Sequence, residues 1–128
     1  MKRMLIVDDQ ASWRNFHLNA VKEVLKDSQI ETAESAQEAY SKILENNKTP
    51  YDIIITDMQM EIDYEPKMAG EWLIEQIKTL NSYYKTKIII ISASPKIRQI
   101  AETYGVDYIP KRVATTSILP YEEKILLD

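Results

Sequence analysis

Short apolar runs alternate along the chain with segments whose apolar residues recur every three or four positions. Met4 to Val7, Ile30 to Ala33, Ile53 to Ile55, Ile88 to Ile91, and Tyr108 with Ile109 read as five strands. Between them lie four helical patterns. Trp13, Phe16, Ala20 and Val24, joined by Val21 and Leu25, make one apolar face; Ala36, Ala39, Tyr40 and Ile43 make a second. Leu73, Ile74, Ile77 and Leu80 make a third, and Ile97, Ile100, Ala101 and Tyr104 a fourth. A weaker segment, Leu119 to Leu127, reads as a short fifth helix, because Pro120 restricts where it can begin. Strands alternating with helices predict an α/β fold, a parallel sheet covered on both faces. The unbroken Ile53 to Ile55 and Ile88 to Ile91 runs suit strands buried on both sides and belong in the interior of that sheet. The half-polar QIETA stretch and the last strand, which meets Pro110, read as edges.

Length and charge narrow the possibilities. A chain of 128 residues is expected to form one domain, residues 1–128, with its own core and no room for a second module. The balance of 16 basic against 20 acidic residues, a net charge of -4, disfavours nonspecific attraction to nucleic acid or an anionic membrane. With no cysteine there is neither a disulfide framework nor a thiolate metal site. No apolar run is long enough for a membrane span, and MKRMLIVDD turns acidic too early for a signal peptide, so a cytoplasmic location is expected.

The polar residues at the strand ends carry the chemistry. In an open parallel sheet, ligands bind beyond the carboxyl ends of the strands, near the point where strand order reverses. Asp8 and Asp9 end the first strand and Asp57 ends the third. Two like charges about 4 Å apart repel by about 4 kcal/mol at an effective dielectric of about 20, so three carboxylates meeting there call for a counter-charge. A hard divalent cation such as magnesium, which takes oxygen ligands and keeps several waters, supplies it. With Lys111 on the same edge, three carboxylates, one dication and one ammonium sum to zero, and the site is ready for a phosphoryl group. Each residue also has an ordinary reading: an Asp after a strand is commonly a turn or cap, Ser94 before Pro95 is a good helix N-cap, and Tyr108 is a plausible edge-strand aromatic. His17, the only histidine, falls beside Arg14 and Asn15 on the polar side of the first helix and is read as a surface residue. What distinguishes the set is its combination, with every member at a carboxyl end.

In LIVDD, IIITDMQM, IIISAS and YIPK the sequence resembles the receiver domains of two-component response regulators, over essentially its whole length. The resemblance implies a doubly wound five-stranded sheet in the order 2-1-3-4-5 and a phosphorylation switch that uses magnesium. By the same resemblance Asp57 is the phosphoacceptor, Asp8 and Asp9 hold the metal with Asp9 the more direct ligand, and the backbone carbonyl of Gln59 completes the protein ligands. Ser92 is the hydroxyl that turns toward the phosphoryl group, Lys111 its ionic partner, and Tyr108 the aromatic that changes rotamer. Gln59 and Ser94 are the positions that tune hydrolysis. The implied partners are a sensor histidine kinase or phosphotransfer protein upstream and a protein partner or a second copy downstream, read through the face built from the fourth helix, the fifth strand and the last helix, with no direct contact to nucleic acid or membrane.

Some features depart from the family pattern. The lysine is usually followed by a cis proline; here Arg112 follows, and since a non-proline cis bond costs about 3 kcal/mol a trans bond is expected. Between Asp57 and Gly70 the chain runs several residues longer than usual and lacks the typical proline, and this segment is expected to cover part of the site. The stretch from Ser92 to Lys111 is shorter than usual. Two other functions fit fewer of the residues. A phosphatase of the haloacid dehalogenase type wants a second Asp two residues after its nucleophile, where Gln59 stands. A degenerate receiver acting as a constitutive interaction module would not need all five functional residue types.

Overall fold

The computed structural model describes residues 1–60 and 68–126. Five strands form one parallel sheet in the order β2-β1-β3-β4-β5: β1 (Lys2–Val7), β2 (Ser28–Ala33), β3 (Ile53–Asp57), β4 (Lys87–Ser92) and β5 (Asp107–Pro110). The helices are α1 (Ala11–Val24), α2 (Ala36–Glu45), α3 (Ala69–Lys78), α4 (Ile97–Tyr104), α5 (Lys111–Ala114) and α6 (Leu119–Leu126), with a 3-10 turn at Asn81–Tyr83. β2 and β5 are the edges, as their polar residues and Pro110 predict, and α6 begins at Leu119 as expected. Strand order reverses between β1 and β3, where Met4 pairs with Ile53 and Val7 with Thr56. The two strands that end in Asp8 and Asp57 are therefore neighbours, and the switch point falls between the acidic residues.

Alternation along each strand divides the core in two. Leu5, Val7, Ile54, Ile88 and Ile90 face one layer with α2, α3 and α4. Met4, Ile6, Ile53, Ile55, Ile89, Ile91 and Ile109 face the other, with α1, α5 and α6. Strands buried on both sides need no polar alternation, which is why the central runs are nearly pure isoleucine. Local signals fix several helix ends. The Ser35 hydroxyl accepts from the Glu38 N–H at 3.1 Å and starts α2. Gly105 takes the left-handed conformation, φ 67°, that closes α4.

Three local features differ from the sequence reading. Lys111 to Ala114 form a one-turn helix directly after β5, too short for periodicity to reveal. Ser94 does not cap α4: its hydroxyl accepts from the Lys96 N–H at 3.1 Å in a turn, and the helix starts after Lys96. The inward face of α1 is also rotated from the one predicted. His17, Ala20 and Val21 are buried while Phe16 is 39% exposed. The spacing of Trp13, His17, Ala20 and Val24 is as helical as that of Trp13, Phe16, Ala20 and Val24. Counting imidazole as polar moved the predicted stripe onto Phe16, so the surface reading of His17 is corrected to a core position.

Candidate functional site

The site lies at the carboxyl edge of β1 and β3. Asp8 follows β1; its N–H donates to the Ala33 carbonyl at 3.1 Å, which extends the β1–β2 ladder by one residue and fixes the backbone there. One carboxylate oxygen of Asp8, Oδ1, accepts from the Gln10 N–H at 2.9 Å. The Asp8 carbonyl accepts from Arg14 Nη1 at 2.8 Å, while Arg14 Nη2 reaches Glu34 at 3.1 Å. Asp57 is the last residue of β3 and only 3% exposed. Asp8 is buried and Asp9 half-buried, and carboxylate oxygens of Asp8, Asp9 and Asp57 lie within 4.8 Å of one another. Three carboxylates at this spacing, two of them buried, with Asp8 Oδ2 left without a hydrogen-bond partner among the described residues, fit the needs of a hard divalent cation.

Lys111 is the nearest described cation to Asp57. Its Nζ stands 3.4 Å from Asp57 Oδ2 and 4.8 Å from the centre of the Trp13 ring. Burial, and next the charge of Asp8, push the Asp57 carboxyl up to about 6 from its ordinary 3.8; Lys111 and the Gln59 N–H pull the other way. The upward forces prevail, so the pocket favours bringing in positive charge. Near neutral pH Asp57 is still mostly ionised, as a nucleophilic oxygen requires.

Gly70 holds the third side. A Cβ there would sit 2.5 Å from the Asp57 carbonyl oxygen and 2.7 Å from Met58 Cα, while the Gly70 N–H donates to the Met58 carbonyl at 3.0 Å. Only a residue without a side chain lets α3 start this close to the end of β3.

A second group gathers at the β4–β5 corner. Ser92, 1% exposed, ends β4 opposite Pro110, and its hydroxyl accepts from the Ser94 N–H at 3.0 Å. Tyr108 pairs with Ile90 in β5 and is half-buried. A cavity of about 450 Å³ lies between them, lined by Ser92, Ser94, Ile97, Arg98, Tyr108 and Lys111. Lys111 belongs to both groups, since it also pairs with Asp57. The Gln59 side chain is exposed, and the expected cover from the Asp57 to Gly70 segment lies for the most part outside the described residues.

Residues 4–121 match the family model for the response regulator receiver domain. The chain belongs to that family. The receiver domain is 26% identical to the response regulator protein TrrA of Thermotoga maritima, solved in complex with Mg²⁺ and BeF, with a TM-score of 0.76 over 98% of this chain and 97% of that one. Chemotaxis protein CheY4 of Vibrio cholerae shares the fold at 22% identity, with a TM-score of 0.76 over 98% and 97% of the two chains. A gliding motility regulatory protein of Myxococcus xanthus is 33% identical over 107 residues, 82% of this receiver but 12% of that protein. The receiver is thus a phosphorylation-controlled module of two-component signalling. Among its described residues no helix is long and apolar enough to cross a membrane.

Sequence reasoning named the acidic residues, Ser92, Tyr108 and Lys111, but not Arg14, His17 or Tyr121. Arg14 left no pattern to read. The signal for His17 was its spacing from Ala20 and Val21.

Proposed function

We propose that this receiver takes a phosphoryl group from a phosphohistidine on a sensor kinase or phosphotransfer protein onto Asp57 and changes its α4-β5-α6 surface in response. The observation that carries the reading is the convergence of the Asp8, Asp9 and Asp57 carboxylates within 4.8 Å, with the Lys111 ammonium 3.4 Å from Asp57. An oxygen of Asp57 attacks phosphorus in line, the P–N bond breaks, and its electron pair returns to the donor imidazole, which takes up a proton. Lys111 neutralises charge on the equatorial oxygens, and positioning with neutralisation supplies most of the catalysis. Asp8, Asp9, Asp57 and the Gln59 carbonyl are the residues that would hold Mg²⁺, which when bound offsets the negative charge of carboxylates and phosphoryl group together. Water later hydrolyses the acyl phosphate at a rate tuned by Gln59 and Ser94.

The response passes through Ser92 and Tyr108. When the Ser92 hydroxyl turns to a phosphoryl oxygen it gives up its bond to the Ser94 N–H, and the cavity beside it offers the Tyr108 ring room to swing. One charge-assisted hydrogen bond is strong enough to bias two such packings. The receiver acts in the cytoplasm, and its output is a protein partner or a second copy of the chain, with no direct DNA contact. Incubation with Mg²⁺ and acetyl phosphate tests the assignment: intact mass should rise by one phosphoryl group, and Asp57→Asn should remove the gain. Modification that survives in the variant, or maps to another residue, overturns it.

A further inference from the structure

Near the site the core of the α1 layer contains a polar pair that phosphoryl transfer does not use. His17, in the middle of α1, is 1% exposed among apolar neighbours and stacks on Trp13 at 5.4 Å. Its Nδ1 lies 2.8 Å from the hydroxyl of Tyr121, itself 1% exposed, on α6. Its Nε2 faces Asp8 Oδ2 at 3.5 Å, and among the described residues neither atom has a closed hydrogen bond. A buried imidazole with one satisfied nitrogen is costly unless the other nitrogen also finds a polar partner.

Hydrogen placement follows from the partners. Burial, and then the charge of Asp8, push the Tyr121 phenol above its ordinary range, so it keeps its proton and can donate. If it donates to Nδ1, the ring hydrogen sits on Nε2 and points at the Asp8 carboxylate. The opposite tautomer would aim the Nε2 lone pair at a carboxylate oxygen and leave the Tyr121 hydrogen without an acceptor among the partners shown. Asp8 then has the Gln10 N–H on Oδ1 and the His17 ring N–H facing Oδ2 at 3.5 Å, short of a closed hydrogen bond.

We propose that His17 is a positioning residue of the acidic pocket: its Nε2–H orients Asp8, and Tyr121, by donating to Nδ1, makes divalent-cation binding depend on how α6 is seated. This rests on the reading that the pocket takes Mg²⁺. Groups that orient a ligating carboxylate typically change metal affinity by about 10- to 100-fold. α6 thereby acts on the pocket from the face of the sheet opposite α2 and α3.

Mg²⁺ titration of the intact protein, followed by tryptophan fluorescence, provides the test, because Trp13 lies against both Lys111 and His17. His17→Leu should weaken Mg²⁺ binding about tenfold. His17→Gln, whose amide N–H can take the place of Nε2–H, should restore affinity to within roughly threefold of the parent, and Tyr121→Phe should fall between them. The ring ¹⁵N resonances of the sole histidine give a second readout in the unmutated protein. They should show hydrogen on Nε2 and a bare Nδ1, with Nε2 the more shifted by Mg²⁺. Equal affinity in parent, His17→Leu and Tyr121→Phe overturns the inference and leaves the proposed function standing. Hydrogen on Nδ1 alone overturns it even where His17→Leu fails to fold. A parent protein that binds no Mg²⁺ overturns both.

Discussion

At the β1–β3 corner Asp8 and Asp57 are buried, fixed by backbone hydrogen bonds and wedged by Gly70, whereas at the β4–β5 corner Ser92 and Tyr108 border a cavity of about 450 Å³ beside an eight-residue helix. The first corner is a tight arrangement that concentrates like charge. The second has few constraints and space into which a ring can move. In the proposed function, stored repulsion at one corner and free volume at the other are complementary, since a bound cation would relieve the first while the Ser92 and Tyr108 response would occupy the second. Lys111, paired with Asp57 and lining the cavity, is the residue they share.

The largest test of this contrast is the charge of Asp57. Its carboxyl, pushed up to about 6 from 3.8, holds its proton more tightly when folded than when unfolded. The associated stability is complete below the unfolded value and lost as pH rises through about 6, a difference of about 3 kcal/mol. In metal-free melts, Asp57→Asn should therefore gain up to about 3 kcal/mol over the parent at pH 7.5, and the gain should disappear below about pH 4. A variant less stable than the parent at pH 7.5 would mean the corner is not strained by its charge.

Gly70→Ala addresses the wedge. A methyl group 2.5 Å from the Asp57 carbonyl must displace α3 or the end of β3, and overpacking of this kind costs about 1–3 kcal/mol. Denaturant unfolding should show that loss, and phosphorylation by acetyl phosphate should slow with it. Unchanged stability would show that the tight corner can yield as readily as the other.

At the roomier corner Ser92→Ala removes the acceptor for the Ser94 N–H and should cost only about 1 kcal/mol. The amide resonances of residues 94–112 should then fail to respond to beryllofluoride and Mg²⁺ while those near Asp57 still do. A full response in this variant would exclude the hydroxyl from the coupling.

The smallest effect belongs to Asp9, half-buried at the pocket mouth. Asp9→Ala should raise metal-free stability by less than about 1 kcal/mol, because partial exposure screens its charge, yet weaken Mg²⁺ binding strongly. A clear drop in metal-free stability would mean that Asp9 is held by favourable contacts rather than set against its neighbours.

Much of this molecule is legible in its pattern. Five isoleucine- or valine-bearing runs and the helical repeats between them yield the parallel sheet, and the inner runs stay apolar because burial on both faces leaves no room for polar alternation. Asp8, Asp9, Asp57, Ser92 and Lys111 stand out because each ends a strand or comes just after one, and the carboxyl ends of parallel strands lie along one edge. Local sequence alone could not set the rotation of α1. His17 and Phe16 differ by one helical position, and the partner that His17 meets on turning inward, the Tyr121 hydroxyl at 2.8 Å, lies 104 residues away in sequence. Nor could spacing reveal why Gly70 lacks a side chain, since the atoms a Cβ would strike belong to Asp57 and Met58 at the end of another element. The residue types and the strand order determined which groups reach the edge. Only tertiary packing determined how closely they meet, because distances between side chains remote in sequence are set by the elements that hold them apart.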